Sequence, residues 1–205
     1  NIVQAVSGAM GGSKSEEFLA PCETGEDTYV LCPKCGFAAN VEAMVTKVAA
    51  EDASKVPALE ELDTPNTPTI DSLVAVLNEK FGGGYTGAST LKNVMLMADK
   101  KAISILVSGD REVDLKRLQA GLPGVEELRT FEEADFANFP TLVKGYIGPQ
   151  DAAKSGITVY ADPRIAPGTS WVTGANKNNR HARNVVNGRD FTPFEYVEAA
   201  EIREG

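Results

Sequence analysis

Three features of this chain have residue types and spacings that could do chemistry. They are Lys92 within Thr90-Leu91-Lys92-Asn93-Val94, His181, and the glycine-bounded Gly145-Tyr146-Ile147-Gly148-Pro149. An ammonium group such as that of Lys92 can hold a substrate oxygen, and it can equally pair with a surface carboxylate. His181 is the sole histidine. Any Ser-His-Asp or Cys-His arrangement must therefore use it, and nothing near it in sequence names a nucleophile. Its imidazole can donate and accept hydrogen bonds, which suits substrate positioning as well as a structural role. Taken alone, the Gly145–Pro149 pentapeptide reads as a tight turn.

The remaining candidates are weaker. Cys32-Pro33-Lys34-Cys35 has the spacing of one zinc knuckle, but a closed zinc site takes four ligands, and only Cys22 and the distant His181 could complete it. Three cysteines in a sequence without a secretion signal read as reduced cytosolic thiols. There is no Gly-x-Ser-x-Gly elbow and no Gly-x-x-x-x-Gly-Lys-Ser/Thr loop. Gly82-Gly83-Gly84 reads as a flexible helix stop rather than a phosphate cradle.

A length of 205 residues holds one good-sized core, or one domain with extra pieces attached. The hydrophobic fraction of 42% and charged fraction of 24% are those of an ordinary globular protein. No apolar run reaches the roughly 18–20 residues of a membrane span. Asn1-Ile2-Val3-Gln4 has neither an initiator Met nor a signal pattern, so the chain reads as cut from something longer. The net charge of −9 argues against a general nucleic-acid coat, whose affinity comes from Lys and Arg on phosphates. One local exception is Lys177 to Arg183, where Lys177, Arg180 and Arg183 are followed by Arg189. That cluster reads either as a phosphate-docking patch or as a solvated loop.

These residues need a scaffold, and the pattern predicts a mixed α+β one, a β-sheet with surrounding helices. Residues 1–50 read as strand, turn, strand, helix, with Thr28–Cys32 a strand and Ala38–Ala50 a helix capped by Asn40. Ser7–Ser13 is too rich in glycine for a regular element. Glu51–Pro68, interrupted by Pro57, Pro65 and Pro68, reads as an acidic linker. After it, Ile70, Leu73, Val74, Leu77 and Phe81 recur on one helical face behind a Thr69 cap. Leu91–Ala98 and Ala102–Val107 form a hairpin around Asp99-Lys100-Lys101. Val113–Ala120 and Phe131–Ala137 read as helices. Ile157–Tyr160, Ser170–Thr173 and Arg183–Val186 read as strands.

Several segments, in one order, resemble bacterial-type prolyl-tRNA synthetases of class II. Ser7–Phe18 is similar to the family's Gly-Gly-Ser-x-Ser-x-Glu-Phe stretch, and Ala38-Ala39-Asn40-Val41-Glu42 to its Ala-Ala-Asn-hydrophobic-Glu stretch. Ser108-Gly109-Asp110-Arg111-Glu112-Val113 looks like its Arg-Gly-Asp-x-x-hydrophobic turn, with Ser for Arg. Gly145–Pro149 matches the Gly-x-x-x-Pro loop shared with YbaK-like deacylases. Gly174-Ala175-Asn176 and Asn187-Gly188-Arg189-Asp190 match two further segments. Near the end, Ala200-Glu201-Ile202-Arg203 stands where the family has Ala-Asp-Ile-Arg.

The resemblance implies a division into residues 1–50 flanking from the catalytic domain, 51–68 as linker, 69–190 as editing domain and 191–205 as return segment. It implies hydrolysis of the ester of tRNA(Pro) mischarged with alanine. A proline pocket cannot strongly reject a smaller amino acid, because a missing methylene is worth only about 1–3 kcal/mol, and a second sieve removes the error. On the family's pattern, Lys92 would hold the aminoacyl-adenosine end and help exclude proline. Ile70 and Leu73 would line the alanine pocket. Backbone N–H groups of the Gly145–Pro149 loop, Gly145 and Gly148 above all, would meet the substrate carbonyl, and Pro149 would help bind the substrate. His181 would position the substrate, and Arg180 and Arg183 would contact it. Water would attack directly, aided by the ribose hydroxyl, since no side chain is an obvious nucleophile. Editing would need no cofactor, whereas the cytoplasmic parent enzyme, a homodimer, would ligate proline with ATP and Mg²⁺. The piece itself would not aminoacylate, because the first and third class II motifs are missing. Alternatives are a Cys-tRNA(Pro) deacylase, a non-catalytic tRNA-positioning insertion, or a zinc-binding adaptor.

Overall fold

The computed structural model describes residues 1–7, 14–25 and 27–203. Most of the Ser7–Ser13 glycine-rich stretch lies outside the described residues.

A four-stranded sheet opens the chain. It holds β1 (Ile2–Ala5), β2 (Ser15–Phe18), β3 (Tyr29–Leu31) and β4 (Ala38–Asn40), in the order β2-β1-β4-β3. The expected helix from Ala38 to Ala50 does not form. Ala38 and Ala39 are buried in strand pairing with β3 and β1 instead. The Asn40 side chain does accept the Ala43 N–H at 2.9 Å, but that cap leads only into a turn. Val45 and Val48 stay exposed, so a helix here would bury no apolar face. The Thr46 N–H and hydroxyl both go to the Glu198 carboxylate, which withdraws that N–H from any helical ladder.

The expected linker also contains structure. β5 (Glu60–Asp63) pairs antiparallel with a later strand and buries Leu62, while Glu60, Glu61 and Asp63 meet cations across the pair. The next element follows its pattern closely. α1 (Ile70–Phe81) is capped by Thr69, whose hydroxyl accepts the Ser72 N–H, and stops at Gly82 with φ of 81°. That left-handed conformation suits glycine.

β6 (Leu91–Ala98) and β7 (Lys101–Ser108) form the hairpin, with a turn of two residues rather than three because Lys101 already pairs with Ala98. Asp99 holds the turn at φ of 53° and accepts the N–H groups of Glu126 and Glu127. Beyond come α2 (Leu115–Ala120), β8 (Leu128–Thr130), α3 (Glu133–Phe136) and α4 (Pro149–Lys154). Four strands close the chain: β9 (Thr158–Ala161), β10 (Ser170–Lys177), β11 (Arg180–Val186) and β12 (Glu195–Tyr196). The described sheets are completed by β10-β11-β5 and β12-β9-β7-β6-β8.

The layers follow from alternation along each strand. One face of the five-stranded sheet presents Leu91, Met95, Leu106 and Val159 to Trp171, Ala182 and Val185 of the three-stranded sheet. Its other face presents Leu96, Ile103, Ile105 and Val107 to Leu118, Leu122 and the returning Val197 and Ala199. The three-stranded sheet turns Leu62 and Val172 toward Leu73 and Leu77 of α1. The order is therefore α1, three strands, five strands, α2. This is the α+β architecture that the sequence predicts.

Candidate functional site

A cavity of about 450 Å³ opens where the start of α1, the free end of β6, the β10–β11 pair and the Lys144–Ile147 loop converge. This is within the usual range for small-molecule sites. Ile70, Leu73, Lys92, Gly145 and His181 all line it, so four separate stretches of the sequence share one space. Gly148, Pro149, Arg180 and Arg183 do not line it.

The floor is built by α1. Leu73 is buried against the three-stranded sheet, and Ile70, one turn earlier, is half-buried. Next to them runs an open strand edge. β8 pairs with β6 only from Leu96 onward, while Leu91 is capped by the Thr173 hydroxyl at 3.1 Å and Met95 C=O accepts the Phe131 N–H at 3.0 Å. Backbone groups alternate sides along an antiparallel strand. Asn93, midway between those two, therefore directs its N–H and C=O away from β7 and toward the cavity it lines. Its side-chain Oδ1 accepts from the buried Ser104 hydroxyl, and its Nδ2 is buried without a partner.

Lys92 leaves β6 on the opposite face, and its Nζ meets Glu112 Oε1 at 2.5 Å. The lysine side chain is 19% exposed and the glutamate 76%, so the carboxylate lies outward of the amine. Lys92 is thus paired with a carboxylate and also lines the cavity.

The loop is held by β10. Asn176, at φ of 52°, accepts the Val143 N–H on Oδ1 at 2.7 Å, donates from Nδ2 to Thr141 C=O at 2.8 Å, and donates its own N–H to Tyr146 C=O at 2.6 Å. Gly145 turns the chain at φ of 86°. Among the described residues, the N–H groups of Gly145 and Ile147 have no backbone acceptor. Gly148 caps α4 and Pro149 is its first, buried residue, so this end of the pentapeptide anchors the loop while Gly145 and Ile147 face the cavity.

His181 sits on β11 opposite Gly174, buried, with Nδ1 2.7 Å from Thr64 Oγ1 and its ring 5.3 Å from that of Tyr146. Burial pushes its pKa down to about 4, so the imidazole is neutral at pH 7. The basic cluster around it is a hairpin rather than a solvated loop, and its cations are paired. Lys177 meets Glu61 at 2.7 Å, Arg180 lies 3.7 Å from Glu61 and from Asp63, and Arg183 meets Glu60 at 2.6 Å. Arg183 also lies 3.8 Å over the Phe81 ring. The acidic strand β5 thus faces these cations with carboxylates.

Phe131, Phe136 and Lys144 complete the wall, with Lys144 Nζ 5.4 Å over the Phe136 ring. Sequence reasoning missed this wall, along with Thr64, Asn176, Asn93 and Glu112. Asn176 had a signal in the Gly174-Ala175-Asn176 segment. Thr64 had none, since its bond to His181 spans 117 positions. Cys22, Cys32 and Cys35 are free thiols. Among the described residues no group of three or more His, Cys, Asp or Glu side chains is placed to hold a metal ion, and no helix is long and apolar enough to cross a membrane.

Comparison with known proteins places the chain in a family. The whole chain is 50% identical over 205 residues to a proline--tRNA ligase of Streptomyces coelicolor, covering 35% of that protein. It is 52% identical over 205 residues to proline--tRNA ligase 1 of Streptomyces avermitilis, again covering 35%. The chain thus spans about a third of the length of these relatives. A solved structure described as hypothetical protein APE2540 shares the fold, with a TM-score of 0.55 at 14% identity over 70% of this chain and 92% of that one. The pattern described as "Aminoacyl-tRNA editing domain" matches residues 64–191, from the threonine that holds His181 to Phe191 just past β11, and the chain belongs to that family.

Proposed function

We propose that the cavity hydrolyses the ester of tRNA(Pro) mischarged with alanine, as the editing part of a longer cytoplasmic prolyl-tRNA synthetase. The observation that carries this reading is the convergence of Lys92, His181 and the Gly145 loop around an apolar floor of Ile70 and Leu73. A small acyl side chain fits that floor, and the larger volume beyond it suits the adenosine end.

The attacking group is water. Among the described residues no serine or cysteine lines the cavity. Of its four threonines, Thr67 gives its hydroxyl proton to Thr64 C=O, Thr173 to Leu91 C=O, and Thr69 caps α1. Water adds to the ester carbonyl carbon, the tetrahedral oxyanion collapses, and the ribose oxygen leaves with a proton, yielding alanine and free tRNA. The unspent N–H groups of Gly145 and Ile147 are donors for the developing oxyanion. Neutral His181 can hold the ribose hydroxyl by a hydrogen bond, and Lys92 narrows the acyl site against proline. No metal enters this scheme. ATP and Mg²⁺ belong to proline ligation elsewhere in the longer enzyme, which we take to be a homodimer. Cysteine is the competing substrate, since its side chain is also small.

Incubating the chain with Ala-, Cys- and Pro-tRNA(Pro) tests the reading. Alanine release above the buffer rate supports it, and a trapped covalent acyl-enzyme would overturn the water mechanism.

A further inference from the structure

The Ser108–Val113 turn lies outside the cavity lining, yet it touches two of the residues that matter there. Its first contact is with the floor. The Gly109 N–H donates to Thr90 C=O at 2.8 Å. A Cβ on Gly109 would lie 1.9 Å from Thr90 Oγ1 and 3.1 Å from Ile70 Cδ1, so the turn is seated directly against the pocket helix. Its second contact is with the ammonium, through the 2.5 Å pair of Glu112 and Lys92.

Lys92 needs such a partner. Its stem has four rotatable bonds, and it leaves β6 on the face shared with Val107 rather than on the face of Asn93 and Met95. Glu112 is its one charged or hydrogen-bonding partner among the described residues. Glu112 is itself fixed from behind. Its N–H donates to Glu201 Oε1 at 2.9 Å, its C=O accepts the Glu201 N–H at 2.9 Å, and Arg111 reaches Glu201 C=O at 3.3 Å. A highly exposed carboxylate on a mobile loop would not fix an amine. One delivered by a backbone pinned at both Thr90 and Glu201 does.

We infer that Glu112 is a positioning residue that sets the place of the Lys92 ammonium, and that the Ser108–Glu112 turn fixes the spacing between that ammonium and Ile70. That spacing is the dimension by which a small acyl group is told from a larger ring, so Glu112 acts on specificity through Lys92. This extends the editing function proposed above and rests on it for the substrate, though not for the geometry.

Because the pair is largely exposed on the Glu112 side, it contributes little to stability, and Glu112→Ala should leave the melting temperature within about 2 °C of the parent chain. Two readouts on the full chain then test the inference. The first needs no activity: acylation of lysines by an amine-specific reagent, quantified by peptide mass spectrometry. Glu112→Ala should speed labelling of Lys92 severalfold while that of Lys100 stays constant, and Glu112→Asp should lie between. The second is the ratio of kcat/KM for Ala-tRNA(Pro) over Pro-tRNA(Pro). It should fall about tenfold or more in Glu112→Ala, with no further fall when Lys92→Ala is added. Unchanged Lys92 labelling overturns the positioning role whatever the activity. Changed labelling with an unchanged ester ratio overturns the specificity role. A parent chain that cleaves no ester counts against the editing function and leaves the labelling result to decide the positioning role.

Discussion

Gly174 of β10 runs so close to Tyr146 that a Cβ on it would lie 2.1 Å from the Tyr146 carbonyl oxygen and 2.8 Å from the Ile147 nitrogen. On its other side, a Cβ on Gly148 would lie 2.4 Å from the Gly174 carbonyl oxygen. Backbone against backbone cannot yield as a side chain can. Gly174→Ala should therefore displace the loop, costing about 1–3 kcal/mol of stability and most of the hydrolytic rate. Thermal unfolding and ester hydrolysis, measured on the same preparation, check both effects. A variant with parental stability and rate would show that the close approach does not matter.

Asn176 secures the same loop by its side chain, through Val143 N–H and Thr141 C=O. Asn176→Gly keeps the left-handed backbone at φ of 52° but loses both bonds. We expect the activity of that variant to fall by about tenfold or more with a stability loss of about 1–3 kcal/mol. Steady-state kinetics against a melting curve separates the two.

His181 makes stability depend on pH in a defined direction. Its folded-state pKa of about 4 lies below the ordinary value of 6.5, because burial disfavours the charged ring. Between those values the unfolded chain binds the extra proton, so stability rises with pH through that window. The contribution is complete above pH 6.5 and is lost as pH falls toward 4, on the order of 3 kcal/mol in all. Urea unfolding at several pH values should show this slope, and His181→Gln should remove it.

The buried Arg117 is held by Glu198 and by Val41 C=O, which ties α2 to both flanking segments of the chain. Glu198→Ala leaves that guanidinium buried without its counter-charge and also releases Thr46. A loss of about 3–5 kcal/mol is expected, readable by chemical denaturation. Hydrolysis by the fraction that remains folded should be unaffected, since none of these groups lines the cavity.

Ile70 should read out the size of the acyl site. It is only half-buried, so Ile70→Ala should cost less than the about 2–5 kcal/mol of a fully buried position. Widening the floor should raise hydrolysis of Pro-tRNA(Pro) relative to Ala-tRNA(Pro), measured as initial rates.

The legible parts of this molecule were those governed by local rules. α1 declared itself through five apolar residues on one face between Thr69 and Gly82, and the β6–β7 hairpin through two apolar runs around Asp99. What failed was decided at long range. Ala38 and Ala39 favour helix locally, but β1 and β3 claim them for a sheet. β5 hid among prolines and acids because its partner, β11, lies more than a hundred residues away. For the site, the family resemblance pointed to Lys92, Ile70, Leu73, Gly145 and His181, and the fold brings all five to one cavity. Arg180 and Arg183 lie outside the cavity lining and face carboxylates of β5 that local composition does not reveal. Thr64 carries no local mark at all, while Asn93 and Glu112 sit inside quoted segments whose sequence does not single them out.

The most direct test of the central claim compares the deacylation rates of Ala-tRNA(Pro) and Pro-tRNA(Pro) by the parent chain and by Lys92→Ala. The account predicts that the parent cleaves the alanyl ester well above the buffer rate and spares the prolyl ester, while Lys92→Ala attacks the prolyl ester as well. If the parent cleaves neither ester above buffer, or the variant discriminates as the parent does, the account is contradicted.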